Sequence, residues 1–334
     1  MNSLIYDRLN MVRKVTLKRL LNLMVLYMSW IAARYFKIIH IKGTPAFASV
    51  EPTTACNLSC PECPAGTGKF FRKKGNIKKE YFCNYIDKLL PNLIWLNLYF
   101  QGEPFLHPQF MDMIAYAGKK NLYTATSTNG HFLTDENCKA LIDAGLDRIV
   151  ISIDGLDQET YQRYRRGGDV NTVKDGVIRL VKHKAARRSK KPYIILQSLL
   201  LKSNENQLIA LKNWWKETGA DELQLKKAQF YDFYEGNQLM PDNQSVSRYR
   251  KVDEGKFVIN SKLPDYCKRL WFTVVITWDG ELVPCCFDKN AAFSYGNISS
   301  GSLNEIWKGE KSINFRKRVF SNRKSIPICC NCSE

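Results

Sequence analysis

The sequence lacks any apolar run near its N-terminus long enough to cross a membrane. Residues 20–33 hold 14 positions without a charge, against the roughly 20 apolar residues a spanning helix needs. A segment ending in a small-residue cleavage site is also missing, so export is not expected and a cytoplasmic location is. Acids are scarce: 32 Asp and Glu stand against 50 Lys and Arg, leaving +18 over 334 residues. That balance suits nucleic acid, anionic lipid or an acidic substrate. No helix-turn-helix, RNA-recognition or zinc-finger pattern accompanies it, so no nucleic-acid partner is expected.

What is present is an ordinary globular composition, 45% hydrophobic and 25% charged, in a chain long enough for about two domains. The 11 cysteines are the anomaly. In a reducing compartment, clustered thiols serve as metal ligands more often than as disulfides. Cys83 and Cys138 stand alone in helix-like segments and read as small buried hydrophobes. The others cluster. Cys56, Cys60 and Cys63 fall within eight residues as C-x3-C-x2-C. Soft thiolates favour an iron–sulfur cluster or zinc over hard cations. A four-iron cluster takes four cysteines. Three in one loop leave one iron open to a substrate or cofactor, while a zinc knuckle with a distant fourth ligand is the alternative.

From residue 45 the pattern alternates. Strand-like runs cover 46–51, 93–99, 123–128, 148–153, 193–201 and 222–227, and helical stretches cover 78–90, 108–120, 134–144, 171–185 and 204–217. Six such units predict an α/β chain with a parallel sheet and right-handed crossovers. The count is too small for a closed eight-stranded barrel and fits a partial one, with reactive groups at the C-terminal ends of its strands. The polar motifs fall there. Gln101-Gly102-Glu103-Pro104 follows the second strand, Ser127-Thr128-Asn129-Gly130 the third, and Ser152-Ile153-Asp154-Gly155 the fourth. Glu accepts hydrogen bonds from an ammonium, and short polar side chains beside Gly suit a hydroxyl-rich ligand.

These stretches resemble the radical S-adenosylmethionine (radical SAM) superfamily. The resemblance implies a partial (β/α)6 barrel in which Cys56, Cys60 and Cys63 hold a [4Fe-4S] cluster whose open iron binds SAM. One electron then cleaves SAM to a 5′-deoxyadenosyl radical that takes a hydrogen atom from the substrate. It implies SAM contacts at Gln101, Gly102, Glu103 and Pro104, with Glu103 on the amino group, and at Thr128, Asn129, Ser152 and Asp154. In Tyr161–Gly168 it favours Arg165 for the carboxylate, with Arg163 and Arg166 as rivals. Gln101 departs from the family's Gly, and Glu62 stands where an aromatic residue usually touches the adenine. An electron donor such as flavodoxin or ferredoxin is implied too. The substrate, a peptide, a protein side chain or a small molecule, is not specified.

The C-terminal cysteines resemble the SPASM or twitch extension. Residues 271–286 read as a β-hairpin turning at Asp279-Gly280. The resemblance implies one auxiliary [4Fe-4S] cluster on Cys267, Cys285, Cys329 and Cys332, with a four-cysteine zinc site as the rival. Adjacent residues of a strand point to opposite faces, so Cys285 and Cys286 should not both ligate; Cys330 is likewise left over. A non-catalytic metal-binding protein that kept the fold is the other functional reading.

The expected organisation is a basic helical segment at 1–42, a barrel at 45–229, a linker at 230–262 and a small α+β auxiliary-cluster domain at 263–334. Residues 1–42 carry eight Lys and Arg against Asp7 alone, a net +7. Leu17, Leu20, Leu21, Met24, Met28 and Ile31 share one helical face. The segment either lies on an anionic membrane or packs on the barrel as an extra helix.

Overall fold

Strands buried on both faces favour apolar, β-branched runs; of the six strands in the middle of the chain, the fifth (YIILQSLL) comes nearest to this, while the sixth (ELQLKK) alternates and is only partly buried. The six are β1 (Phe47–Val50), β2 (Trp95–Asn97), β3 (Tyr123–Thr128), β4 (Arg148–Ser152), β5 (Tyr193–Leu200) and β6 (Glu222–Lys227). The computed structural model describes residues 2–69, 71–252 and 255–333. The expected ends of the chain at residues 1 and 334, and positions 253 and 254 of the expected linker, lie outside these. β1 to β6 pair in parallel in sequence order. The expected partial barrel is therefore present.

Two helices precede it, α1 (Ser3–Val12) and α2 (Leu17–Phe36). α3 (Pro64–Thr67) and α4 (Lys79–Leu89) follow β1, α5 (Phe110–Lys119) follows β2 and α6 (Asp135–Asp143) follows β3. α7 (Gln158–Gln162) and α8 (Val170–Ala186) follow β4, and α9 (Leu208–Thr218) follows β5. Side-chain caps start several of them: Thr134 accepts from Asn137 N, Asp157 from Thr160 N and Asp169 from Thr172 N. Val173, Val177 and Leu180 on α8 pack with Ile149, Ile151, Ile194 and Leu196 of the sheet in one continuous core. Cys138 is fully buried in that core, and Cys83 packs half-buried against it.

The N-terminal segment is docked beneath the strand starts. Arg19, 3% exposed, donates to the carbonyls of Lys14, Pro91, Lys120 and Asn121. Asp7 is paired with Arg148 and accepts from Tyr123, and Asn10 donates to Asp147 at 2.9 Å. The inner face of residues 1–42 thus packs on the barrel, as one of the two expectations had it. Among the described residues no single helix is long and apolar enough to cross a membrane.

Beyond β6, β7 (Tyr249–Lys251) and β8 (Phe257–Ile259) form a small antiparallel pair. α10 (Arg269–Phe272) leads into β9 (Thr273–Ile276) and β10 (Glu281–Val283), the expected hairpin, with Gly280 at φ +91° in its turn. β11 (Gly296–Asn297), α11 (Leu303–Lys308) and α12 (Glu310–Asn322) complete the chain. β9 pairs in parallel with β1, so the C-terminal module continues the barrel's own sheet as β11-β10-β9-β1.

Candidate active site

The loop after β1 carries three thiols, and backbone bonds set its path. Thr54 N donates to Gly75 O at 3.0 Å, Glu103 N to Ala55 O at 2.7 Å and Ser59 N to Arg166 O at 2.9 Å. Two glycines let it fold this tightly. A Cβ on Gly66 would stand 2.5 Å from Cys60 N, and one on Gly102, at φ +74°, would stand 2.4 Å from Thr53 O. Gly102 thus seats the loop after β2 against the cysteine loop.

Cys56, Cys60 and Cys63 line one cavity of about 360 Å³, and no other thiol does. Leu58 N donates to Cys56 Sγ at 3.5 Å. Burial pushes the Cys56 thiol up to about 11 and raises Cys60 as well. Soft thiol donors become thiolates when a cation joins them. The donor set therefore fits a cluster with one open iron.

The far wall is polar. Glu103, 2% exposed, accepts from Thr128 Oγ1 at 2.8 Å, Asn129 N at 2.8 Å and Phe105 N at 3.3 Å. Burial lifts its carboxyl to about 7, against those hydrogen bonds. Asn129 Nδ2 donates to Asn57 Oδ1 at 2.7 Å, joining the end of β3 to the cysteine loop. Arg165 Nε lies 2.6 Å from Asp154 Oδ2. Burial alone would lower the Arg165 pKa, but Asp154 and Cys60 outweigh it and the guanidinium stays charged. Leu199 N donates to the other Asp154 oxygen at 2.6 Å.

Gln101, Gly102, Glu103, Thr128, Asn129, Ser152 and Arg165 all line the cavity. Pro104 and Asp154 stand behind its wall: Pro104 opens the 3-10 turn after Glu103, and Asp154 orients Arg165. Arg163 instead forms an exposed ion pair with Glu159 at 2.7 Å. Glu62 lines the cavity but is engaged elsewhere, accepting from Tyr231 N at 2.8 Å and Asn237 Nδ2 at 3.0 Å. It ties the cysteine loop to the segment after β6, which accounts for a carboxylate where an aromatic residue was expected.

Sequence reasoning missed Tyr99, Phe100, Tyr164 and Lys289 on this lining. Lys289 arrives from the C-terminal module. Arg72 positions it: Nε donates to Lys289 O at 2.8 Å, while Nη1 and Nη2 grip the fully buried Glu51 at 2.8 and 2.5 Å. No short motif marks that fork, because its partners are distant in sequence.

A second, small apolar cavity is lined by Cys267, Cys285, Cys329 and Cys332. Burial pushes Cys329 up to about 11 and raises Cys285 strongly. Arg323, 1% exposed, places Nη2 3.3 Å from Cys332 Sγ, and its buried Nε has no protein partner. A buried cation and an orphaned donor beside four thiols suit an anionic iron–sulfur cluster. Cys286 and Cys330 are exposed and outside this cavity. Among the described residues, no three Cys, His, Asp or Glu side chains converge as a single ion's ligands do; a multi-iron cluster spreads its ligands over separate irons.

A parallel partial barrel with a three-thiol loop and a buried carboxylate at its strand ends fits an iron–sulfur protein that binds a small charged cofactor. Residues 50–196 match the radical SAM superfamily and residues 267–333 match an iron–sulfur cluster-binding domain, SPASM. The chain thus carries a radical SAM domain followed by a SPASM domain: it is a radical SAM enzyme using SAM at a [4Fe-4S] cluster, with an auxiliary iron–sulfur cluster. It is 27% identical over 315 residues to the tungsten-containing aldehyde ferredoxin oxidoreductase cofactor-modifying protein of Pyrococcus furiosus, covering 85% of this chain and 86% of that one. It is 24% identical to the PqqA peptide cyclase of Granulibacter bethesdensis, covering 78% and 72%. Among solved structures, BtrN in complex with AdoMet and 2-DOIA shares the fold at TM-score 0.56 and 18% identity, covering 88% of this chain and 95% of that one. SuiB of Streptococcus suis bound to precursor peptide SuiA does so at TM-score 0.62 and 14% identity, covering 91% and 74%.

Proposed function

We propose that this chain oxidises or cross-links a peptide substrate by hydrogen abstraction. The observation that carries the reading is a single cavity lined by the three-thiol loop and the Glu103–Arg165 polar wall. With SAM bound, a reduced four-iron cluster supplies the hydrogen-abstracting chemistry, and the protein supplies binding, orientation and exclusion of water. Cys56, Cys60 and Cys63 would hold that cluster. Glu103, held by Thr128 and Asn129, receives the ammonium of SAM, and Arg165, oriented by Asp154, receives the carboxylate. Ser152 and Asn129 offer hydrogen bonds to the ribose. Cys267, Cys285, Cys329 and Cys332 would hold the auxiliary cluster, with Arg323 offsetting its charge.

A peptide is favoured over a small molecule by two points. A further cavity of about 210 Å³, lined by Glu62, Phe71 and Tyr231 among others, shares Glu62 with the active-site cavity and offers room beside it. Relatives named for peptide work, a PqqA peptide cyclase and SuiB with its precursor, resemble this chain over most of its length. The chain divides for this work into a barrel at 45–229, a linking segment at 230–262 and an auxiliary-cluster module at 263–334. A cytoplasmic setting, with electrons from flavodoxin or ferredoxin, suits a protein whose cysteines are all free of disulfides.

The test is SAM cleavage. Reconstituted, reduced protein should release 5′-deoxyadenosine, measured by mass spectrometry, above a Cys56→Ala control. Release no greater than the control overturns the reading.

A further inference from the structure

An ordinary surface helix turns its apolar stripe inward and its polar face to water. α2 departs from this: alongside Leu26 and Ala33 it buries polar residues, and it sets an apolar stripe toward solvent. Its inward residues include Arg19, Asn22 and Ser29, all buried. Asn22 exchanges hydrogen bonds with Thr44, donating to its carbonyl at 2.9 Å and accepting from its N–H at 3.0 Å. Ser29 Oγ donates to His40 O at 2.5 Å and accepts from Trp271 Nε1 at 3.2 Å. These bonds lock the helix in one rotation about its axis. The outward residues are Leu17, Leu21, Met24 and Met28, between 52% and 73% exposed.

The concentration is specific to this end of the chain. Of the 19 large hydrophobic side chains exposed among the described residues, 13 lie between Ile5 and Ile38. An apolar groove of about 580 Å³ runs between α2 and residues 38–42, with Lys42 and His40 on its lining. Charge on the segment has one sign. Arg8, Arg13, Lys18, Lys37 and Lys42 are exposed, while Asp7, its only acid, is buried against Arg148.

We propose that this face seats the protein on an anionic lipid bilayer, with α2 lying along the boundary between headgroups and acyl chains. A long apolar stripe rimmed only by cations is what an interfacial helix presents to such a surface. Spanning is excluded by Lys18, Arg19 and Arg34 within the helix and by the polar anchors behind it. A second copy of the chain is a poorer occupant, because the same cations would meet each other across the interface. The anchors fix the orientation: Arg19 grips carbonyls just before β2 and β3, whereas the active-site cavity opens where those strands end. The bilayer therefore contacts the barrel's base and leaves the cavity mouth free for substrate. The inference does not depend on the substrate proposed above.

Full-length, cluster-reconstituted protein should co-float with vesicles of phosphatidylcholine and phosphatidylglycerol at least about tenfold more tightly than with phosphatidylcholine alone, an advantage lost at high salt. Met24→Glu with Met28→Glu should abolish flotation while iron content and circular dichroism stay unchanged, since both side chains point to solvent. Lys37→Glu with Lys42→Glu should weaken flotation on the anionic vesicles only. The proposal is overturned if the wild type does not float on anionic vesicles, or if the Met24/Met28 variant floats as well as the wild type. It is overturned equally if sedimentation shows a dimer that these methionine substitutions dissociate without any vesicle binding, for the face would then be a contact between copies.

Discussion

A carboxylate with almost no solvent must be neutralised or paired. Glu103 is raised from its ordinary 4.5 to about 7 by burial, even with three donors on it. The neutral form is thus favoured in the empty site. Ligand-free protein loses stability there as pH rises from about 4.5 through about 7, since folding then forces a charge into a dry wall. An ammonium ligand reverses the balance because it requires the carboxylate. SAM affinity should therefore climb roughly tenfold between about pH 6 and about pH 8, as the ionised fraction of Glu103 grows. Titration of reconstituted protein by calorimetry checks this. Glu103→Gln should bind weakly with a flat profile, and an equally steep profile in that variant would assign the effect to another group.

At the scale of elements, the site depends on two loops pressed together. Gly102 is required at that contact, and for a different reason from the one its motif suggests. Its freedom serves close approach of the cysteine loop, with Thr53 O and Ala55 O 2.4 and 2.7 Å from where a Cβ would stand. Gly102→Ala adds a clash with backbone to a left-handed conformation, costing about 1–3 kcal/mol. The expected outcome is a lower melting temperature and loss of iron from the three-thiol site, read by iron assay and thermal denaturation. Normal iron occupancy in that variant would show that the loops can separate without harm.

At the scale of the molecule, two cysteine sets lie in one continuous sheet system, joined by the β1–β9 pairing and the Glu51–Arg72–Lys289 clamp. The sets should load independently, because they share no ligand. Anaerobic reconstitution should give about eight irons per chain, two four-iron clusters. The triple Cys56→Ala, Cys60→Ala, Cys63→Ala variant should keep about half. A folded triple variant with no iron would remove the auxiliary site from the account.

Much of this protein is determined locally and so was legible in its sequence. Strand–helix alternation is a period-and-length signal carried within each segment, and all six parallel strands lie where the pattern put them. C-x3-C-x2-C brings three thiols to one cavity because the loop between them is too short to do otherwise. The Asp279-Gly280 turn made its hairpin for the same reason. What only the tertiary structure decided involves partners far apart in the chain. Arg72, Glu51 and Lys289 span more than two hundred residues, and no spacing rule links them. Glu62 looked like a missing aromatic contact until Tyr231 and Asn237 appeared opposite it. Asp154 was expected among the SAM contacts, and only the fold pairs it with Arg165. The helical stripe of α2 was plain in the sequence, but a stripe has no inside or outside until something packs on it; the buried bonds of Arg19, Asn22 and Ser29 turned it toward solvent.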